Sequence, residues 1–122
     1  MYRFAPNFDL GFCVGSSLDQ IAIGKYDVQF KFGSGATIAV QSQATVLCRE
    51  EPVANWTEAE GWSSLAYHRL LNEQVTKGIV IDERTIEIQF TENLALRIYD
   101  NSDQYESMQI YLPAPCSGII VI

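Results

Sequence analysis

IAIGKYDVQFKFGSGATIAV, residues 21–40, reads as a hairpin that the chain writes twice. Laid over IVIDERTIEIQFTENLALRI, residues 79–98, it aligns without a gap, every pair 58 residues apart. Ile21, Ile23 and Phe32 recur as Ile79, Ile81 and Phe90, while Val28, Phe30, Ile38 and Val40 recur as Ile86, Ile88, Leu96 and Ile98. Each copy carries a three-residue loop, Gly33-Ser34-Gly35 and Thr91-Glu92-Asn93. The last residue of each loop is one that tolerates the left-handed backbone such loops require. Strict apolar–polar alternation on both sides predicts half-buried strands. Tyr26, Val28, Phe30 and Phe32 fall on one face of the first copy, and Ile86, Ile88 and Phe90 on the matching face of the second.

Working outward, the first meander is expected over 18–48 and the second over 75–112, with a terminal strand over 118–122. Met108, Ile110 and Leu112 extend the apolar face of the second meander onto its next strand. Pro52 punctuates the middle, Thr57-x-x-Glu60 has the spacing of a capping box, and Trp62, Leu65, Ala66 and Leu70 keep a helical period. A helix is therefore expected over 57–73. The predicted fold class is α+β: two antiparallel β-meanders, a duplication, forming a curved sheet or roll around one helix, with about nine strands in all.

The composition limits the function classes. With 48% hydrophobic and 19% charged residues in 122, the chain is that of one packed domain. It has no apolar run long enough to span a bilayer and no secretory pattern at its start. Cys13, Cys48 and Cys116 lie far apart with no C-x-x-C, which argues against zinc or a disulfide framework and for reduced thiols in a cytoplasm. Charge is uneven. Residues 1–48 hold three basic and three acidic residues, 49–78 three and five, and 79–122 two and seven, giving −7 in total. Acidity concentrated in the C-terminal half disfavours nucleic acid and anionic membranes and favours a basic protein partner or plain solubility.

Candidates for chemistry are few. His68 is the only histidine and stands between Tyr67 and Arg69 without a second ligand, so no metal site and no cofactor are expected. A Cys–His dyad would need Cys13, Cys48 or Cys116, none of which carries a local motif. Gly33-Ser34-Gly35 leads into a strand, not a helix, and a hairpin turn accounts for it. DNSDQYESMQI, residues 100–110, is the most polar stretch. Parity from Met108 and Ile110 turns Glu106 inward at the start of its strand, and meander geometry brings it to Arg84, which itself lies opposite Asp100. A structural ion pair between Arg84 and Glu106 is the expectation. An acid–base pair of Glu106 with Asp100 or Asp103 is the enzymatic alternative. On the opposite face Glu87, Gln89, Arg97, Tyr99, Gln109 and Tyr111 are expected side by side, which is equally a tyrosine-bearing patch of the kind that binds proteins and an ordinary solvated sheet face.

YDVQFKF, the glycine turn and TIAV, then IEIQF and LRIYDNSDQYESMQI, resemble a family of short bacterial proteins of unknown function, which implies no site residue. Size, acidity and β-rich architecture are also similar to the immunity proteins encoded beside bacterial toxins. The expected function is thus a small acidic, non-enzymatic protein-binding domain of the cytoplasm, with an immunity protein against a basic toxin as its sharper form. A homo-oligomeric structural domain and a carboxylate hydrolase using Glu106 are the alternatives.

Overall fold

The computed structural model describes residues 3–57, 65–102, 107–113 and 118–122. Ten strands are formed: β1 Leu18–Ile23, β2 Val28–Phe32, β3 Thr37–Val40, β4 Gln43–Cys48, β5 Glu51–Trp56, β6 Val75–Asp82, β7 Thr85–Phe90, β8 Leu94–Tyr99, β9 Met108–Leu112 and β10 Gly118–Val121. They make two five-stranded antiparallel sheets, ordered β1-β2-β3-β9-β10 and β5-β4-β8-β7-β6. The inward residues of both sheets join one apolar cluster, including Val28, Phe30 and Ile38 from the first and Val46, Ile88 and Leu96 from the second. Two alternating sheets bury each other's apolar faces in a sandwich.

This overturns the expected α+β roll. In its described part the stretch expected as a helix is a six-residue 3-10 helix, Leu65–Leu70, ended by Asn72 at φ 67°. Residues 58–64, which include the capping-box glutamate and Trp62, lie outside the described residues. No helix is needed to cover a sheet when a second sheet does so. Pro52, expected as a break, instead lies within β5, an edge strand, where a missing N–H is tolerated. Tyr26 does not share the inward face. It is 67% exposed in the β1–β2 connection, with the Lys25 ammonium 5.4 Å from its ring centre.

Exchanging β1–β5 for β6–β10 turns one strand order into the other. The β2–β3 pairs Val28↔Val40 and Phe30↔Ile38 recur in β7–β8 as Ile86↔Ile98 and Ile88↔Leu96. Each of these residues lies 58 positions from its counterpart. The loops agree as well, with Gly35 at φ 98° and Asn93 at φ 59°. The first strands slip by one residue from that alignment: Ile21 pairs with Phe30 where Gly78, not Ile79, pairs with Ile88. A β-bulge marks both, between Leu18 and Gln20 and between Val75 and Lys77. Gly78 has no side chain for a local reason. A Cβ there would stand 2.4 Å from the Cβ of Leu10, so the N-terminal segment packs directly on β6.

The correspondence reaches beyond the strands. The turn before β1 carries Val14 N–H to Gly11 O and Ser16 N–H to Cys13 O, matched before β6 by Leu71 N–H to His68 O and Glu73 N–H to Leu70 O. Leu10 and Cys13 are buried there, as are Tyr67 and Leu70. The 3-10 helix is thus the second appearance of a turn that the N-terminal half also makes. Where the halves meet, Ser17 bridges Gln74 and the hydrogen bonds are reciprocal. Gly15 N–H donates to Val75 O at 2.9 Å as Asn72 N–H donates to Leu18 O at 2.8 Å, and Val75 N–H donates to Ser16 O as Leu18 N–H donates to Glu73 O.

Each half also lends strands to the other sheet. β4 leaves its own meander to pair with β8, and β9 leaves its own to pair with β3. Phe32 and Phe90, each 4% exposed, occupy matching places at the ends of β2 and β7. Truncation of either to alanine should cost about 3–5 kcal/mol. In denaturant melts the two losses should agree within about 1 kcal/mol, and a near-neutral result at one of them would show that the equivalence does not extend to the core.

Candidate functional site

Glu87 on β7 and Arg97 on β8 are register partners on the outer face of the second sheet. Alternation turns Ile86 and Ile88 into the core and leaves Glu87 outward, yet Glu87 is buried. Its neighbours explain this. Arg97 donates to Glu87 Oε1 from Nη2 at 2.6 Å and from Nε at 3.2 Å, and Gln89 Nε2 donates to Oε2 at 2.9 Å. Both carboxylate oxygens are therefore occupied. The Glu87 hydrogen bond holds the Arg97 guanidinium more firmly charged than usual against a smaller opposing effect of burial, and Tyr99 adds to the upward shift. This pair serves the sheet face and leaves no free base.

The pair forms one wall of a concavity of about 560 Å³, within the range of small-ligand and side-chain pockets. Leu47, Phe90, Leu94 and Ala95 supply its apolar lining, and Arg49, Glu50 and Asn93 its rim. The rim belongs to two hairpin tips. β4 and β5 are joined by Arg49-Glu50 alone, with Cys48 paired to Glu51, and φ is 51° and 70° at the two loop residues. A two-residue loop of this kind asks for positive φ at both positions, which Asn-Gly would supply at least strain. At the neighbouring β7–β8 tip Glu92 and Asn93 have φ of 62° and 59°. Arg49 N–H donates to Asn93 O at 2.9 Å and ties one tip to the other. Thr91 Oγ1 donates to Glu73 Oε2 at 2.5 Å beside them. Four of the five non-glycine residues with positive φ among the described residues therefore sit on these two tips. Glu50, Glu51 and Glu92 are exposed around them.

The expected six-residue face is divided by the topology. Glu87, Gln89, Arg97 and Tyr99 share the second sheet, but β9 pairs with β3, so Gln109 and Tyr111 lie on the first. There Tyr111 OH donates to Gln109 Oε1 at 2.7 Å. Beside Tyr99 the second sheet carries a polar ladder instead. Thr45 Oγ1 donates to Asn55 Oδ1 at 2.6 Å and Asn101 Nδ2 to Gln43 Oε1 at 3.0 Å.

At the other end of the second sheet, the buried carboxylate is Asp100. Its side chain is fully enclosed and accepts from Arg3 Nη1 at 2.7 Å and from Ser107 Oγ at 2.5 Å. Its backbone N–H donates to Arg84 O at 2.7 Å, while Arg84 Nη1 reaches Asp100 O at 3.5 Å. Arg84 thus lies opposite Asp100 as the register implied. Glu106, and with it the expected ion pair and the enzymatic alternative, falls outside the described residues together with Asp103. Asp100, the other carboxylate of that alternative, is committed to holding the N-terminal segment and the β8–β9 crossing.

Among the described residues no three of His, Cys, Asp and Glu converge as a metal site. His68 is exposed on the 3-10 helix. Cys13 is enclosed with its S–H donating to Leu10 O, and burial pushes its thiol up to about 11, the opposite of an activated nucleophile. Cys48 is half-buried and Cys116 lies outside the described residues. No helix is long and apolar enough to cross a membrane among the described residues. No family model, curated protein or solved structure matches the chain.

Two outcomes follow from these environments. Asp100→Asn removes the buried carboxylate charge that Arg3 Nη1 and Ser107 Oγ donate to and should lower stability by about 3 kcal/mol, read as a shift of the urea midpoint; an unchanged midpoint would remove Asp100 from the framework. A thiol titration of native protein at pH 8 should give the same count for Cys13→Ser as for the parent, since the enclosed thiol reacts only on unfolding.

Proposed function

We propose that the chain is a small acidic protein-binding domain that acts by docking rather than by chemistry, through the paired hairpin tips of the second sheet. The observation that supports this most is the concentration of backbone strain there. Non-glycine residues in the left-handed region cost of order 1 kcal/mol or more each, and such strain gathers where a surface is kept for a task other than stability. Arg49-Glu50 stands where Asn-Gly would fold more easily. The strained tips are locked together by Arg49 N–H and Asn93 O, so they present a rigid rim around the concavity.

Charge gives the partner its class. The net charge is −7, and three exposed glutamates surround the tips against one arginine. A basic protein is drawn to such a rim, and the acidity speeds its association. A cytoplasmic immunity protein that covers the cleft of a basic toxin is the specific form of this reading. The engagement of both Glu87 oxygens and of Asp100 supports docking over hydrolysis.

The strain supplies a test that separates binding from stability. Glu50→Gly should raise stability by about 1 kcal/mol in denaturant melts, the gain from relieved φ exceeding the added freedom of the unfolded chain. Glu50→Lys with Glu92→Lys should leave the melt within about 0.5 kcal/mol of the parent. That pair should nonetheless lose the basic protein recovered by the parent from a native lysate and identified by mass spectrometry. Recovery of the same protein by the charge-reversed variant would defeat the assignment of the tips as the contact.

A further inference from the structure

Each sheet has two outer strands, and three of the four carry devices that discourage pairing with another chain. β1 has the Leu18/Gln20 bulge and Asp19. β6 has a bulge at each end, Lys77 and Asp82 along its length, and the N-terminal segment against it, with Phe4 N–H donating to Glu83 O. β5 has Glu51, Pro52 and the irregularity between Val46 and Leu47. Bulges, charges, prolines and covering segments are the means by which natural sheets blunt an edge. Among the described residues β10 has none of them. Its sequence is Gly-Ile-Ile-Val, and it pairs with β9 in unbroken register from Gly118↔Leu112 to Val121↔Gln109.

The internal symmetry supplies a control. The pair Leu47↔Pro52 at the edge of the second sheet corresponds to Tyr111↔Ile119 at the edge of the first. The same position therefore holds a proline in one half and an isoleucine in the other. Hydrogen-bond parity shows what that difference exposes. Ile122 and Met108 exchange backbone hydrogen bonds in both directions, so bonded pairs alternate from there through Ile120↔Ile110. The N–H and C=O groups of Ile119 and Val121 then point away from β9, toward the open edge. Ile119 is 61% exposed beside Tyr111 at 38%.

We infer that β10 pairs antiparallel with β10 of a second copy, joining two first sheets into one continuous sheet about a twofold axis. A strand is what unpaired alternating donors and acceptors recognise, and charge selects the same chain as its source. β3, β9 and β10 contain no charged residue. The acidic residues that make up the net charge of −7 lie mostly in the C-terminal half, and these three strands add nothing to the repulsion between two copies. A basic partner has nothing to hold at this edge, so the contact is separate from the hairpin tips of the second sheet.

The test is sedimentation velocity of the full chain over a range of concentrations, combined with hydrogen exchange. The parent should shift from monomer to dimer as concentration rises, and the amides of Ile119 and Val121 should gain protection in step. Ile119→Pro removes one open-edge donor and leaves the bonded pairs with β9 intact. It should weaken the dimer at least about tenfold while the far-UV spectrum stays that of the parent. If the proline variant loses its fold, Ile119→Lys, which keeps the backbone, carries the same expectation. A parent that stays monomeric at every concentration overturns the inference. So does a dimer in which Ile119 and Val121 exchange as fast as in the monomer, or one that persists in both variants.

Discussion

Four backbone hydrogen bonds around the Ser17–Gln74 bridge hold the two halves in register, and the rest of the architecture is set from there. The bonds come in two matched pairs, so whatever places β1 beside β6 also places β6 beside β1. Such reciprocity requires the chain to reverse sharply just before each strand. Gly15 and Asn72 do this with φ of 85° and 67°, the conformation glycine adopts freely and asparagine tolerates better than most. With the two starts fixed, the following meanders run into opposite sheets. Phe30 and Ile88 are then buried in one shared core, each sheet covered by the other rather than by a helix.

Much of this was legible in the residues, and the misses have physical causes. Alternation fixed the faces of Val28, Phe30, Ile86 and Ile88, and the loop residues Gly35 and Asn93 announced their backbone conformation. Nothing local distinguishes a β9 that pairs with β8 from one that pairs with β3, because pairing partners are chosen by the whole core. That choice divided the expected face and sent Gln109 and Tyr111 to the other sheet. The helical period around Tyr67 and Leu70 was real apolar spacing, but a turn that buries two residues satisfies it as well as a helix does. Leu10 and Cys13 bury the same way in the first half. Pro52 misled because proline breaks a central strand yet suits an edge.

The candidate site was half legible. Glu87, Gln89 and Arg97 were placed by parity alone, and the register added their mutual satisfaction. The rim was invisible, since Arg49-Glu50 is not a pair that signals a tight turn and only its φ values reveal one. Asp100 was expected opposite Arg84, but its bond to Arg3 joins positions almost a hundred residues apart, which no local pattern encodes. Sequence thus locates residues whose role depends on parity and misses those whose role depends on strain or on distant closure.

The exchange of β4 and β9 between sheets has a consequence for how the chain reaches its fold. Neither sheet can be completed from one half, because the first needs β9 and β10 and the second needs β4 and β5. During synthesis β4 emerges well before β8, the strand it pairs with, so the N-terminal half must wait with Val46 and Trp56 unburied. Pairings of such sequence separation are slow to close and leave apolar edges exposed in the meantime. The same arrangement lets the first half of one chain close on the second half of another through the identical ladders. Closure between two molecules depends on concentration where closure within one does not, so dilute refolding is expected to favour the single-chain sandwich.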